Sequence, residues 1–167
     1  LPGGNIPLDP RSLDPKGSNP ASVERFRQND TLMDQIRHTR KLEALSIEDY
    51  NVVFIPGGHG AMWDLASSEE LGTFLTRFWA KGGIVSSVCH GPAGLINAKD
   101  TNGKPLVSGK KISAFSNSEE SVMKLTQVVP FLLESKLREL GANYQSGPDF
   151  QPFAVRDGRL ITGQNPD

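Results

Sequence analysis

Short apolar runs alternate with amphipathic stretches along most of the chain after residue 50. Val52–Ile55 is a continuous β-branched and aromatic run, a pattern typical of a strand in the middle of a parallel sheet, and Ile84–Val88 is predicted as another buried strand. Between them, apolar residues recur at the spacing of one helix face, at Leu71, Phe74, Leu75, Phe78 and Trp79. This order predicts an α/β fold, a three-layer sandwich with a central, mostly parallel sheet.

The remaining elements are predicted from caps and turn residues. Ser67 and Glu70 have capping-box spacing and predict the start of the helix before Gly82. Further helices are predicted over Gly91–Ala98 and from Pro130 to Leu140. A short strand is predicted over Ile112–Phe115, and a hairpin over Phe153–Arg156 and Arg159–Thr162, with Asp157 and Gly158 in its turn.

The first third of the chain carries weaker signals. Residues 1–20 hold five of the twelve prolines and predict an irregular loop. A broken helical pattern follows through residue 45 and predicts one or two surface helices. We expect a single α/β domain over residues 1–167, with its core in 51–167. The chain starts at Leu1 and ends directly after an apolar run, so we expect it to be incomplete at both ends.

Composition excludes several classes of protein. The 18 basic and 19 acidic residues give a net charge of −1, which argues against nucleic acid as a partner. No apolar run approaches the roughly 20 residues that a membrane span needs. A single cysteine excludes an internal disulfide and suits a reducing compartment, so we expect a cytoplasmic protein.

Cys89 has the surroundings of a nucleophile elbow. A predicted strand runs directly into it, and the small residues Ser87 and Gly91 stand two positions before and after, where the sharp turn leaves no room for larger side chains. A following helix would favour the thiolate and lower the thiol pKa, and His90 could pair with that thiolate. The alternative is an inert core thiol beside a turn histidine.

Two further groups are predicted at the same edge of the sheet. Gly58 and His59 follow the Val52–Ile55 strand, where backbone N–H groups could face an oxyanion, or where the glycines could simply make a tight turn. Glu119 and Glu120 follow a third strand, and one of them could orient an imidazole. The other reading is that they only favour a helix N-terminus.

Nucleotide and metal motifs are not found. The glycines near Lys110 do not have P-loop spacing, and Lys111 stands where the motif needs Ser or Thr. His38, His59 and His90 show no metal-ligand spacing, and His38 lies in a basic stretch typical of solvated surface. We therefore predict no metal site.

Several motifs in order resemble the ThiJ/PfpI superfamily, which implies a flavodoxin-like fold of the class I glutamine amidotransferase-like type. They are Phe54–Gly60, Val88–Ala93, Phe115–Glu120, Val129–Glu134 and Leu160–Pro166. The branch they resemble contains glutathione-independent glyoxalase III enzymes and related heat-shock chaperones. The resemblance implies that Cys89 is the nucleophile, His90 the histidine and Glu120 the acid of a Cys-His-Glu triad. It also implies that Gly58 and His59 form the oxyanion site.

The resemblance also implies an activity. It predicts a glyoxalase III-like enzyme, of the D-lactate dehydratase type, that converts methylglyoxal, a small reactive dicarbonyl, to lactate. It implies a homodimer, no metal or organic cofactor, and a further glutamate outside this chain. A stress-response holdase chaperone and a thiol peptidase or amidase are the alternatives. Glu119, next to the matched Glu120, is expected on a solvated face, where substitution by Gln is nearly silent.

Overall fold

The computed structural model describes residues 3–6 and 20–165 of the chain. Two compact units are present, residues 1–45 and residues 46–167. Most of the loop predicted over residues 1–20 lies outside the described residues. The number of independently folding domains stays a prediction.

The first unit contains the two surface helices that the sequence predicts. They are α1 (Ala21–Arg27) and α2 (Asp30–Arg37), and neither has a buried residue. Asn29 caps α2 by accepting a hydrogen bond from the backbone N–H of Leu32. A 3₁₀ helix (Leu42–Ala44) follows.

The second unit is built on a four-stranded sheet. Its strands are β1 (Val52–Ile55), β2 (Ile84–Val88), β5 (Ala154–Asp157) and β6 (Leu160–Gly163). The spatial order is β1-β2-β6-β5, with β1, β2 and β6 parallel and β5 antiparallel to β6. A second sheet pairs β3 (Lys111–Ile112) with β4 (Asn143–Tyr144). The mostly parallel α/β fold and the β5–β6 hairpin are thus confirmed.

The prediction for β1 is correct in position but wrong in burial. Among the described residues β1 is an edge strand, paired with β2 alone. Ile55 is buried, but Val52 is 51% and Phe54 59% exposed. A continuous apolar run indicates that both faces of a strand are apolar. It does not indicate that other parts of the chain pack on both faces.

Two of the helices predicted in the second unit, those over Gly91–Ala98 and Pro130–Leu140, are shorter in the structure. The α-helices of this unit are α3 (Asp64–Ser67), α4 (Glu69–Ala80), α5 (Asn117–Val122) and α6 (Leu133–Glu139). The predicted apolar face of α4 is buried except for Phe74, which is half-buried. The N-cap of α4 is Ser68, because Ser67 ends α3. After Cys89 the chain forms only a five-residue 3₁₀ helix, Gly91–Leu95, in place of a helix to Ala98. Further 3₁₀ helices span Ile47–Asp49 and His59–Met62.

One edge of the main sheet collects the predicted site segments. The carboxyl ends of β1 and β2 lead into His59–Met62 and into Cys89, as expected for adjacent parallel strands. The backbone N–H of Phe115 donates to the carbonyl of Cys89 (2.9 Å), which brings the start of α5 to the same place. None of the described helices combines the length and apolarity needed to cross a membrane.

Candidate active site

Cys89 occupies a strained turn between β2 and the 3₁₀ helix that follows. Its φ is +60°, in the left-handed region that residues other than glycine seldom adopt. Gly91 packs so closely on the carbonyl of Ile55 that a Cβ there would collide with it. Gly57 lies against Cys89 on the other side, where a Cβ would stand 3.2 Å from Sγ. The tight packing at Gly91 and the positive φ of Cys89 are what a nucleophile elbow requires.

His90 connects the thiol to a buried carboxylate. Its Nδ1 lies 3.4 Å from Cys89 Sγ, and its Nε2 lies 2.7 Å from Glu120 Oε2. The imidazole is fully buried and its centroid lies 4.4 Å from that of Phe115. Because an ionised carboxylate only accepts, Nε2 carries the ring proton in the neutral state, and Nδ1 presents a lone pair to the thiol.

The start of α5 fixes the position of Glu120. Ser116 accepts a hydrogen bond from the backbone N–H of Glu119 (3.1 Å), and Glu119 accepts one from the N–H of Ser116 (2.8 Å). This capping box holds the first turn of α5 and directs Glu120 toward His90. The residues predicted as nucleophile, histidine and acid are therefore connected by two consecutive contacts, from Cys89 to His90 and from His90 to Glu120.

The side chain of His59 joins the same carboxylate, which the sequence analysis did not predict. His59 Nε2 lies 2.9 Å from Glu120 Oε1, and the two imidazole centroids are 4.1 Å apart. The role expected of His59 from the sequence involves only its backbone. A signal was present, because His59 follows a strand adjacent to the one that ends at Cys89, so both histidines had to share one sheet edge.

Backbone donors face the sulfur where the sequence predicts an oxyanion site. The N–H groups of Gly58 and His90 are hydrogen-bond donors toward Cys89. Gly58 has φ +106°, a conformation that glycine adopts without strain. Gly58 therefore directs its N–H to the sulfur, whereas the side chain of His59 contacts the carboxylate of Glu120. The oxyanion role of these two residues stays a prediction.

The thiol and the imidazole are both shifted toward their neutral forms. Burial raises the pKa of Cys89, the two N–H groups oppose this, and the charges of Glu119 and Glu120 raise it further. Burial likewise lowers the pKa of His90, although the hydrogen bond to Glu120 opposes the change. The expectation of an acidic thiol is therefore wrong. The short 3₁₀ helix offers few aligned peptide dipoles, and they do not offset burial.

Glu119 is not on a solvated face, and that expectation is also wrong. Its side chain is completely buried and accepts four hydrogen bonds. The donors, all within 3.1 Å, are the backbone N–H groups of Ser116 and Phe150 and the side-chain amides of Gln164 and Asn165. Burial alone would raise the pKa of Glu119, but these donors outweigh it and hold the pKa below its ordinary value.

One group of side chains in the described part of the chain has a donor set for a metal ion. Single ligand atoms of His59, His90 and Glu120 all lie within 4.8 Å of one another. The sequence analysis predicted no such cluster, because 61 residues separate His59 from Glu120. His38 is exposed, as predicted, and pairs with Asp34 on α2.

A groove of about 690 Å³ lies next to these residues on the open face of the sheet. Phe54, Ser86, Val88, Phe153 and Ile161 are among the residues that line it. Cys89, His90 and Glu120 do not line it, so its shape says nothing about the reaction.

The chain is similar to several known proteins. The chain is 33% identical to glyoxalase 3 of Candida albicans, over 98% of the chain and 72% of that protein. It is 33% identical to the glutathione-independent glyoxalase HSP31 of Saccharomyces cerevisiae, over 73% of the chain but only 54% of that protein. The crystal structure of glyoxalase III from Candida albicans superposes with a TM-score of 0.85 at 30% identity, covering 95% of this chain and 70% of that one. Residues 21–167 match the DJ-1/PfpI family, and the chain belongs to that family.

Proposed function

We propose that the complete protein is a glutathione-independent glyoxalase that converts methylglyoxal to lactate through Cys89. One observation carries the proposal. Cys89 Sγ contacts His90 Nδ1, and His90 Nε2 in turn contacts the carboxylate of Glu120. The names of the curated relatives support the same reaction class. The chain spans only part of their length, so the activity is proposed for the whole protein.

The first step is the addition of the thiol to the aldehyde carbon. Cys89 and His90 are both neutral at rest, so Nδ1 removes the S–H proton as sulfur attacks, and a hemithioacetal forms. Nε2 donates a hydrogen bond to Glu120, which stabilises the imidazolium that results. The imidazolium then returns its proton to the oxyanion, so the hemithioacetal is neutral and His90 is again available as a base. We assign the backbone N–H of Gly58, which acts on the Cys89 sulfur, as the donor to the developing oxyanion.

The second step moves hydrogen within the substrate, so no external oxidant is needed. A base removes the proton from the former aldehyde carbon, and the neighbouring carbonyl carbon is protonated through an enediol. The product is a 2-hydroxyacyl thioester on Cys89. Water then cleaves the C–S bond, which gives lactate and regenerates the thiol. His90 is the base in reach of the sulfur for these transfers.

His59 acts in this scheme as a positioning residue. His59 donates a hydrogen bond to Glu120 Oε1, which leaves Oε2 of the same carboxylate for His90. The carboxylate of Glu120 therefore cannot rotate without losing one of these two hydrogen bonds. Phe115 packs against both imidazoles and limits their rotation.

The decisive variant is Cys89→Ala, tested in the complete protein without added glutathione. We expect lactate production to fall to background, while circular dichroism and the thermal midpoint stay close to wild type. Ser121→Ala, an exposed position on α5, is the control and should retain full turnover. Equal lactate production by wild type and Cys89→Ala would contradict the proposal and favour the holdase hypothesis, which does not need the thiol.

A further inference from the structure

We propose that His59, His90 and Glu120 form a binding site for one divalent transition metal ion, preferentially Zn²⁺, and that its occupancy blocks turnover. The proposal that a metal ion binds is argued only from the positions of these three side chains. The inhibitory part rests on the proposed function, since it requires His90 to be the base.

The three donors are close to the separation that zinc requires. The nitrogen–oxygen distances to Glu120 are 2.9 Å from His59 and 2.7 Å from His90, and all three ligand atoms lie within 4.8 Å of one another. Tetrahedral Zn²⁺ with bonds of about 2.0–2.1 Å places neighbouring ligand atoms roughly 3.4 Å apart. Movements on the order of 1 Å, mostly of His59, would therefore complete the site.

The donor chemistry selects the class of metal. Two imidazole nitrogens and one carboxylate are the protein ligands of zinc centres that keep a fourth position open. Imidazole favours Zn²⁺, Cu²⁺ and Ni²⁺ over Mg²⁺ and Ca²⁺, which take oxygen ligands. Two imidazoles in a set of three therefore argue against an alkaline-earth ion.

Two of the three ligand residues are rigidly held, and the third is accessible from solvent. His90 and Glu120 are buried and held by their neighbours, so they lose little freedom when they bind a metal. The side chain of His59 is 28% exposed, which leaves one side of the cluster open to an arriving ion.

Metal binding and catalysis use the same atoms in incompatible ways. In the metal-free site, His90 Nε2 carries a proton and Nδ1 is the acceptor that faces the thiol. A metal takes the lone pair of Nε2, so the ring proton then sits on Nδ1. That nitrogen becomes a donor and cannot remove a proton from Cys89 or from the substrate. Coordination also withdraws Glu120 from its role beside the imidazole.

Direct binding is measured first, on the chain freed of metal by a chelator. We expect Co²⁺ to give the intense visible absorption of a tetrahedral ion at one ion per chain, and Zn²⁺ to displace it. His59→Gln and Glu120→Gln should each weaken binding at least about tenfold. Cys89→Ala should bind as wild type does, because the sulfur faces Nδ1 and not the metal position.

His38→Gln is the matched control. His38 forms an exposed pair with Asp34 at 3.0 Å, the other place where a histidine and a carboxylate meet in the described residues. We expect this variant to keep the affinity and stoichiometry of the wild type. Binding that is lost in His38→Gln, or that survives intact in His59→Gln, would overturn the site, and so would loss of binding in Cys89→Ala.

Inhibition is measured second, with methylglyoxal as substrate. We expect Zn²⁺ to abolish lactate production with the same midpoint as binding, and a chelator to restore it. Turnover unaffected at full occupancy would overturn the inhibitory role. A metal-free protein without activity that still binds one Co²⁺ would contradict the proposed function and leave the metal site standing, so the two failures are distinguishable.

Discussion

Glu119 and Glu120 are adjacent, both are buried, and they serve opposite purposes. Glu119 is surrounded by amide donors, from the backbone of Ser116 and Phe150 and from Gln164 and Asn165. Glu120 is bonded to two imidazoles, those of His59 and His90. Successive residues of a helix point about 100° apart, so the two carboxylates face different neighbours.

The difference shows that the partners of a buried carboxylate decide what it can do. Amide donors do not titrate near neutral pH, so they hold Glu119 as a fixed charge that ties α5 to the loop at Phe150 and to the end of β6. Imidazoles exchange protons, so the same charge at Glu120 can orient and stabilise a base. The comparison therefore predicts that one glutamate supports stability and the other supports turnover.

The largest effect should come from Glu120→Gln. The amide offers one acceptor oxygen where two imidazole N–H groups need acceptors, so His90 loses either its orientation or the stabilisation of its cation. We expect turnover on methylglyoxal to fall on the order of 10- to 1000-fold, about 1.4–4 kcal/mol of barrier.

The stability of Glu120→Gln, measured in urea, should change less than that of the corresponding Glu119 variant. Full turnover in Glu120→Gln would show that this carboxylate is not needed for the reaction. It would also contradict the proposed difference between Glu119, which supports stability, and Glu120, which supports turnover.

Glu119→Gln should have the next largest effect, on stability. Its NH₂ group would replace one of the two accepting oxygens, either the one that accepts from Ser116 or the one that accepts from the other three donors. At least one buried donor would therefore lose its acceptor. We expect a loss of about 1–3 kcal/mol of unfolding free energy, seen as a lower urea midpoint, with turnover per folded molecule little changed. Glu43→Gln, on an exposed side chain, is the control. A Glu119→Gln protein of normal stability but low turnover would reverse the two assignments.

The elbow was predictable because its requirements are local. A strand, a cysteine and small residues at Ser87 and Gly91 are all within a few positions, and the positive φ of Cys89 follows from that arrangement. The same holds for the strand positions and for the buried face of α4, where apolar spacing is the direct cause of burial.

What the sequence could not predict depends on distant neighbours. The donors to Glu119 include Gln164 and Asn165, about 45 residues away, and its burial cannot be inferred from its place in a first helical turn. The pairing of His59 with Glu120 spans 61 positions. The pKa of Cys89 was predicted in the wrong direction because burial is a tertiary property, whereas the helix that was expected to oppose it is a short 3₁₀ turn.

A smaller effect should appear in the acid dependence of stability. The folded pKa of Glu119 lies below its unfolded value of about 4.3, so its contribution is full above that pH and is lost as the pH falls through the folded pKa. Wild type should therefore exceed Glu119→Gln in unfolding free energy at about pH 6, and the difference should narrow below about pH 4. Urea titrations at several pH values measure this. A constant difference across the range would mean that the charge of Glu119 contributes nothing.

The smallest effect concerns Cys89, where the two carboxylates act alike. Both negative charges raise the pKa of the thiol, in addition to the larger effect of burial. We expect the alkylation rate with iodoacetamide, measured in buffer containing a chelator, to reach half its maximum above the ordinary thiol value of about 8.5. Because Cys89 is the single cysteine of the chain, all of the label reports on this site.

In Glu119→Gln and Glu120→Gln the midpoint of the alkylation titration should fall in both cases, since each variant removes one negative charge near the sulfur. A wild-type midpoint well below about 8.5 would mean that the resting site is a thiolate–imidazolium pair, and that His90 is not free to act as the base.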